Sequence, residues 1–271
     1  MKFTKMQTLG KDFIVMEDPE GNFESPGSLA CDLCRRRFSI GADGLLVIQP
    51  SDQGDYRLRI FNRDGSEAEM SGDALLCTCR YIDARCNYEK GMVLETKGGL
   101  KKAIALADDL ARINMGEPEL RSDLVPVAGA RRAILSDTIR VGTRTFKFAA
   151  VGFGTPHIII FLEEDEAVPH ATAPYLEKHE FFPRGANVGF VKVINPRKLM
   201  VYPWERGMGK TFSCGSAACA AVVAGMLRDE LERLPGPVDV VVPGGTLRVQ
   251  WEPGSEAFLE GTAREVFTGE I

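Results

Sequence analysis

Histidine is scarce in this chain, with three residues among 271, and tryptophan scarcer, with two. No run of about 18 apolar residues occurs, which excludes a membrane-spanning helix as a sequence expectation. The first residues, Met1-Lys2-Phe3-Thr4-Lys5-Met6, lack the apolar core of a secretory leader. The expected compartment is therefore the cytoplasm, where the seven cysteines stay reduced. Positive charge is not in excess either. The formal net charge is −5, with Lys and Arg scattered among Asp and Glu, so neither nucleic acid nor an anionic membrane is an expected partner. No Gly-x-Gly-x-x-Gly follows a strand and no P-loop is present, so nothing announces a dinucleotide or nucleotide cofactor. Cys31-x-x-Cys34 and Cys77-x-Cys79 have the wrong second spacing for a zinc knuckle and no His nearby. No metal site is expected, and Cys31, Cys34, Cys77, Cys79, Cys86 and Cys219 are read as buried structural thiols.

What is there is a globular composition, 44% hydrophobic and 26% charged, on a chain long enough for two ordinary domains. Strand signals dominate: Phe13–Met16, Gly44–Ile48, Tyr56–Phe61, Met92–Thr96, Phe146–Val151, His157–Leu162, Val188–Ile194, Leu199–Tyr202, Val238–Val242, Leu247–Trp251 and Ala257–Leu259. Helices are expected only over Ser28–Arg36, Gly72–Asn87, Pro174–His179 and Ser216–Glu232. Many strands with one long helix per half point to an α+β protein of two halves, each a curved sheet around a helix. The halves also echo one another. Leu58 to Gly65 leads to Ser71-Gly72 and a helix rich in Ala, Leu and Cys, while Leu199 to Gly207 leads to Cys214-Gly215 and an Ala-rich helix.

The stretch Thr211-Phe212-Ser213-Cys214-Gly215-Ser216-Ala217-Ala218 opens that second helix. Small residues at a helix start let backbone N–H groups approach an anion, and the helix dipole favours one there. A thiol in the same field is pulled from about 8.5 towards neutrality and can serve as a base. A buried structural Cys remains the alternative, but the polar run Glu205 to Thr211 just upstream favours chemistry.

Several motifs then occur in order: Met6-Gln7-x-x-Gly10-x-Asp12-Phe13, Gly41-Ala42-Asp43-Gly44, Phe61-Asn62-x-Asp64-Gly65-Ser66-Glu67, Gly154-Thr155-Pro156-His157, Asn187-Val188-Gly189-Phe190, and Glu205-Arg206-Gly207 leading to Cys214-Gly215-Ser216. With Gly244 to Leu247 and Gly261 to Ala263, they resemble the diaminopimelate epimerase family along nearly the whole chain. The resemblance implies two pseudo-symmetric α/β domains, over 1–115 completed by 262–271 and over 116–261, with the active-site cleft between them. It implies a homodimer, with Val266 and Phe267 as interface candidates. The implied activity needs no cofactor and no pyridoxal phosphate. Two cysteines on opposite faces of an amino-acid α-carbon invert it, turning L,L- into meso-diaminopimelate for lysine and peptidoglycan precursors.

Carried over by position, Cys214 matches one catalytic cysteine. Gly215 with Ser216, and Gly72 with Asp73, match the amides that hold the reacting carboxylate. Asn62, Asn187, Glu205 and Arg206 match residues that bind the substrate's far end, where an Arg suits a carboxylate and a Glu an ammonium. His157 is read as orienting a loop rather than moving protons. The chain also departs from the pattern. Ser71 stands where the other catalytic cysteine belongs, and a hydroxyl without a partner base is a poor proton acceptor. Lys11, Asp73 and Thr155 each replace an Asn. Asp73 would repel a carboxylate unless Lys11 or Lys210 compensates.

Ser71 admits three readings: an introduced change that silences an intact enzyme, a natural one-base relative such as a hydroxyproline-type dehydratase, or an amino-acid-binding homologue without catalysis. A racemase of another amino acid, such as His or a basic one, is the alternative on substrate.

Overall fold

A computed structural model describes residues 1–86, 88, 90–233 and 235–271. These fold as two compact units, Met1–Asn114 with Glu260–Ile271, and Met115–Leu259. The divisions fall one and two residues before the boundaries expected from the sequence.

In the first unit the elements run β1 (Lys2–Thr8), β2 (Lys11–Glu17), α1 (Pro26–Leu33), β3 (Gly44–Gln49), β4 (Tyr56–Asn62), β5 (Glu67–Ala68), α2 (Gly72–Cys86), β6 (Met92–Thr96), β7 (Gly99–Ala105) and β8 (Leu110–Gly116). In the second they run β9 (Asp137–Val141), β10 (Arg144–Gly152), β11 (Pro156–Phe161), α3 (Ala173–Glu177), β12 (Asn187–Asn195), β13 (Lys198–Glu205), β14 (Gly209–Lys210), α4 (Gly215–Leu227), β15 (Val238–Val242), β16 (Gly245–Gln250) and β17 (Ala257–Thr262). The last strand, β18 (Arg264–Glu270), pairs antiparallel with β1 in the first unit.

The echo heard in the sequence is a repeat of strand pairing. In the first unit β1–β2 is antiparallel, β2–β3 parallel, β3–β4 antiparallel, β4–β6 parallel and β6–β7 antiparallel. In the second, β10–β11, β11–β12, β12–β13, β13–β15 and β15–β16 follow the same alternation. Each parallel pair needs a crossover, and the four helices supply them. A two-residue strand, β5 or β14, folds back on the strand before each long helix.

Burial explains which helix is central. In α4, twelve of the thirteen residues, Gly215 to Met226, are buried, and such an all-round apolar helix belongs inside a sheet. α2 is buried from Gly72 through Cys79 and emerges in its last turn. A core of Phe146, Phe148, Ile158, Phe182, Val188 and Phe190 fills part of the second unit, and one of Ile14, Met16, Leu45, Val47 and Phe61 part of the first.

Several expectations are corrected. The first helix starts two residues early, at Pro26, where a proline is favoured, and stops at Leu33, because Gly41 and Ala42 N–H take the carbonyls of Leu33 and Cys34. α3 begins one residue early and ends at Glu177 rather than His179. α4 ends at Leu227, not Glu232, with Asp229 in the left-handed region at φ 57°. The end expected for α2 at Asn87 lies outside the described residues. β1, β5, β7, β8, β9, β14 and β18 are strands that the sequence pattern does not mark. β18 is exposed at six of its seven positions, so it carries no alternating apolar pattern to read. Cys86 is exposed and Cys31 half-buried, so the buried-thiol reading holds only for Cys34, Cys77, Cys79 and Cys219. Burial pushes Cys34 and Cys79 up to about 12 and Cys77 well above its ordinary value, which makes them poor nucleophiles.

Candidate active site

In the first unit Ser71 precedes α2 and caps it. Its hydroxyl accepts the Ala74 N–H at 3.3 Å and its carbonyl accepts the Leu75 N–H at 3.0 Å. Gly72 and Asp73 form the first turn, both buried. Asp73 does not stand alone there. Lys11, at the start of β2, places Nζ 3.8 Å from Asp73 Oδ2, and both side chains are buried. This compensation is the one the sequence required, with Lys11 rather than the exposed Lys210 as the partner. Lys11 also lies over the Phe13 ring.

The residue after Lys11 belongs to a second ionic cluster. Asp12 accepts Lys5 at 2.8 Å and a two-pronged Arg36, which also reaches Asp43 at 3.0 Å. Lys5 Nζ donates to the Gly41 carbonyl as well. Burial would raise the Asp12 pKa, but hydrogen bonds from Arg36 and Lys5 bring it below the usual value; burial and the adjacent Asp12 raise that of Asp43. In the sequence Asp12 and Asp43 are letters of two separate motifs. Their work is to pin the loop after α1 against the start of β2, and so to fix Lys11. Asn62 ends β4, and its side-chain amide donates to Ser66 Oγ at 3.0 Å within a tight turn closed by the Asp64 carboxylate.

In the second unit Cys214 is the N-cap of α4, is 2% exposed and caps no amide with its own side chain. A continuous polar chain runs from it. Cys214 Sγ lies 3.4 Å from Ser216 Oγ, which lies 3.0 Å from His157 Nε2, and Asn187 Nδ2 lies 3.2 Å from the same nitrogen. Asn187 Oδ1 accepts the Arg206 N–H at 2.8 Å. That last bond orients the whole chain. With Oδ1 occupied by a donor, Asn187 turns its NH₂ to His157, so Nε2 must accept and the neutral ring carries its proton on Nδ1. The Ser216 hydroxyl, within hydrogen-bond distance of both Nε2 and the Cys214 thiol, links the ring to the sulfur.

His157 is fully buried, and burial lowers its pKa to about 4, against a weaker upward pull from the backbone at Thr155 and Val151. It is therefore a neutral acceptor across the physiological range.

Glu205 ends β13 and is 9% exposed, and Arg206 donates to the Arg184 carbonyl at 3.0 Å. Thr155 Oγ1 is buried without a hydrogen-bond partner among the described residues. Thus Lys11, Asn62, Ser71, Gly72 and Asp73 belong to the first unit, and Thr155, His157, Asn187, Glu205, Arg206, Cys214, Gly215 and Ser216 to the second. The repeat aligns the two sets: Ser71 follows the end of β4 by nine residues, and Cys214 follows the end of β13 by nine. Among the described residues no cluster of three or more metal-ligating side chains occurs. Nor is any helix among them long and apolar enough to cross a membrane.

The family model for diaminopimelate epimerase matches residues 3–121 and 149–266. The diaminopimelate epimerase of Pelotomaculum thermopropionicum is 40% identical over 100% of this chain and 98% of its own length. That of Carboxydothermus hydrogenoformans is 39% identical, covering 100% and 99%, and that of Methanococcus maripaludis 36%, covering 100% and 99%. Among solved structures, a hydroxyproline epimerase from Agrobacterium vitis with bound trans-4-hydroxy-L-proline superposes with a TM-score of 0.72. It is 14% identical and covers 100% of this chain and 90% of that one. A phenazine biosynthesis protein from Bacillus anthracis gives 0.69 at 13% identity, covering 100% and 98%, a likeness of fold alone. Sequence match over both units, ordered motifs and a repeated fold agree: the chain belongs to the diaminopimelate epimerase family.

Proposed function

We propose that this protein is an isomerase that exchanges the α-proton of a free amino acid of the diaminopimelate type without a cofactor, using Cys214 as the acid/base group. The observation that carries it is the setting of Cys214. It is the cap of a buried, acid-free helix start, with its sulfur in reach of a serine held by a neutral histidine. The Cys214 thiolate takes the hydrogen from Cα, and the electron pair left behind moves into the substrate carboxylate. Backbone N–H groups of Gly215 and Ser216, and of Gly72 and Asp73, stabilise the charge as it grows. Glu205 and Arg206 hold the ammonium and carboxylate of the far end, with Asn62, Asn187 and Thr155 beside them. Return of a proton from the same thiol gives exchange with retention; return from the Ser71 side gives inversion.

Ser71 is a good cap and a weak acid, so inversion is the slow step. The change Ser71→Cys is expected to raise inversion by about 10²–10⁴-fold. The test follows wash-in of deuterium at Cα and circular dichroism of L,L- against meso-diaminopimelate, with His, Lys and ornithine alongside. Exchange that needs Cys214 and inversion that needs Ser71→Cys support the reading. A Ser71→Cys protein that binds diaminopimelate yet neither exchanges nor inverts it would overturn it. We also propose a homodimer through β18, on the exposure of Val266 (55%) and Phe267 (47%); a monomer by light scattering at micromolar concentration counts against that.

A further inference from the structure

Glu177 is a buried carboxylate that neither the motifs nor the chemistry above uses. It ends α3 with only 7% of its surface exposed, and a buried acid is costly unless it is hydrogen-bonded. Its two oxygens each take one N–H. Oε2 accepts the indole Nε1–H of Trp204 at 2.7 Å, and Oε1 accepts the backbone N–H of Gly207 at 3.0 Å. Those two residues bracket Glu205 and Arg206.

The turn carrying Glu205 and Arg206 joins β13 to β14, with Gly207 at φ 76° and the Met208 N–H closing on the Glu205 carbonyl at 3.0 Å. In such a turn the Gly207 N–H points outward, and Glu177 receives it. The preceding amide, that of Arg206, is held by Asn187 Oδ1. Successive peptide planes are thus fixed by two buried side-chain acceptors from different elements. The Arg206 stem is fixed too. A Cβ on Gly185, itself at φ 68°, would stand 3.1 Å from Arg206 Cδ and 3.1 Å from the Glu177 carbonyl. Gly185 thus lets the chain between Glu177 and Asn187 close around Arg206, whose guanidinium meets the Arg184 carbonyl.

We propose that Glu177 is a positioning residue: its carboxylate sets the orientation of the Arg206-Gly207 peptide, next to the Glu205-Arg206 peptide that Asn187 holds, and hence the discrimination for a substrate whose far end carries both an ammonium and a carboxylate. This rests on the reading that Glu205 and Arg206 hold that far end. The role is specific to Oε1 and the Gly207 N–H. The Trp204 bond to Oε2 orients the carboxylate but does not touch the turn.

That difference gives the experiment. The readout is the ratio of dissociation constants, by calorimetry, for diaminopimelate against lysine, which lacks the far carboxylate, and 2-aminopimelate, which lacks the far ammonium. Trp204→Phe leaves the ratios within about threefold of wild type. Glu177→Gln lowers the preference for diaminopimelate by about 10- to 100-fold, because its NH₂ must face one of two N–H donors. Combining Glu177→Gln with Trp204→Phe removes that conflict, frees the amide oxygen to accept the Gly207 N–H, and restores the preference. A merely structural role predicts the reverse, since the double change perturbs more packing. Unchanged ratios in Glu177→Gln, or no recovery in the double variant, overturn the positioning role while leaving the substrate reading intact. A wild-type protein with no preference for diaminopimelate overturns the reading of Glu205 and Arg206, and this proposal with it.

Discussion

The ion pair of Lys11 with Asp73 makes a quantitative claim about the first turn of α2. Both side chains are at least 96% buried and their charged atoms lie 3.8 Å apart. At an effective dielectric constant near 20, two unit charges at that distance attract by about 4 kcal/mol. Removing either alone takes from the other its buried counter-charge, and breaking a buried pair in this way typically costs about 3–5 kcal/mol. Removing both leaves no orphan charge, so Lys11→Met with Asp73→Asn is expected within about 1–2 kcal/mol of wild type. The sum of the two single losses should therefore exceed the loss in the double variant by several kcal/mol. Urea unfolding of the four proteins at pH 7, with equal m-values as the control, measures this coupling. Lys11→Met alone should also weaken binding of any ligand carboxylate at α2, because Asp73 then faces the anion without its counter-charge. Single losses that add to within about 0.5 kcal/mol would refute the claim that the pair holds this turn neutral.

Three further outcomes follow from the same residues. His157 is buried neutral with its pKa lowered to about 4, so as pH falls below about 6.5 the unfolded chain takes up a proton first and stability is lost. That loss reaches about 3 kcal/mol by pH 4, and urea midpoints of His157→Gln over the same range should fall less steeply. Ser71→Ala deletes the cap on Ala74 and should lower stability by about 1 kcal/mol, read from thermal melts, whatever its effect on chemistry. Exposed Cys86 should react with an aromatic disulfide reagent in the folded protein, whereas Cys77, Cys79 and Cys219 should react only on unfolding, as mass mapping would show.

The sequence made legible those features whose signals are local. Cys214-Gly215-Ser216 before an Ala-rich run reads as a thiol at a helix start, because the small residues and the cap are neighbours in the chain. The central strands read as apolar runs because both their faces are buried, as in β3 and β11. What stayed hidden depends on partners far away in sequence. β18 gives no pattern of its own, and its strand state comes from pairing with β1 some 260 residues earlier. Nothing near Glu177 says that its oxygens meet Trp204 and Gly207, 27 and 30 residues on. Likewise Asp12 and Asp43 are separate letters until Arg36 joins them.

The repeat bears most directly on Ser71, because it compares the chain with itself rather than with relatives. Ser71 and Cys214 cap the crossover helices of matching strand pairs, β4 with β6 and β13 with β15, and each follows a short strand folded back on the one before. At the Cys214 end no acid lies in the first turn, and the sulfur sits beside a hydroxyl held by His157. At the Ser71 end the hydroxyl is committed to the Ala74 amide, and an acid with its own counter-ion fills the turn. In the proposed reading the first of these ends gives and takes a proton, while the second holds its shape. Placing a thiol at position 71 tests whether that second end has the geometry of a working partner, since nothing else in its capping pattern needs to change.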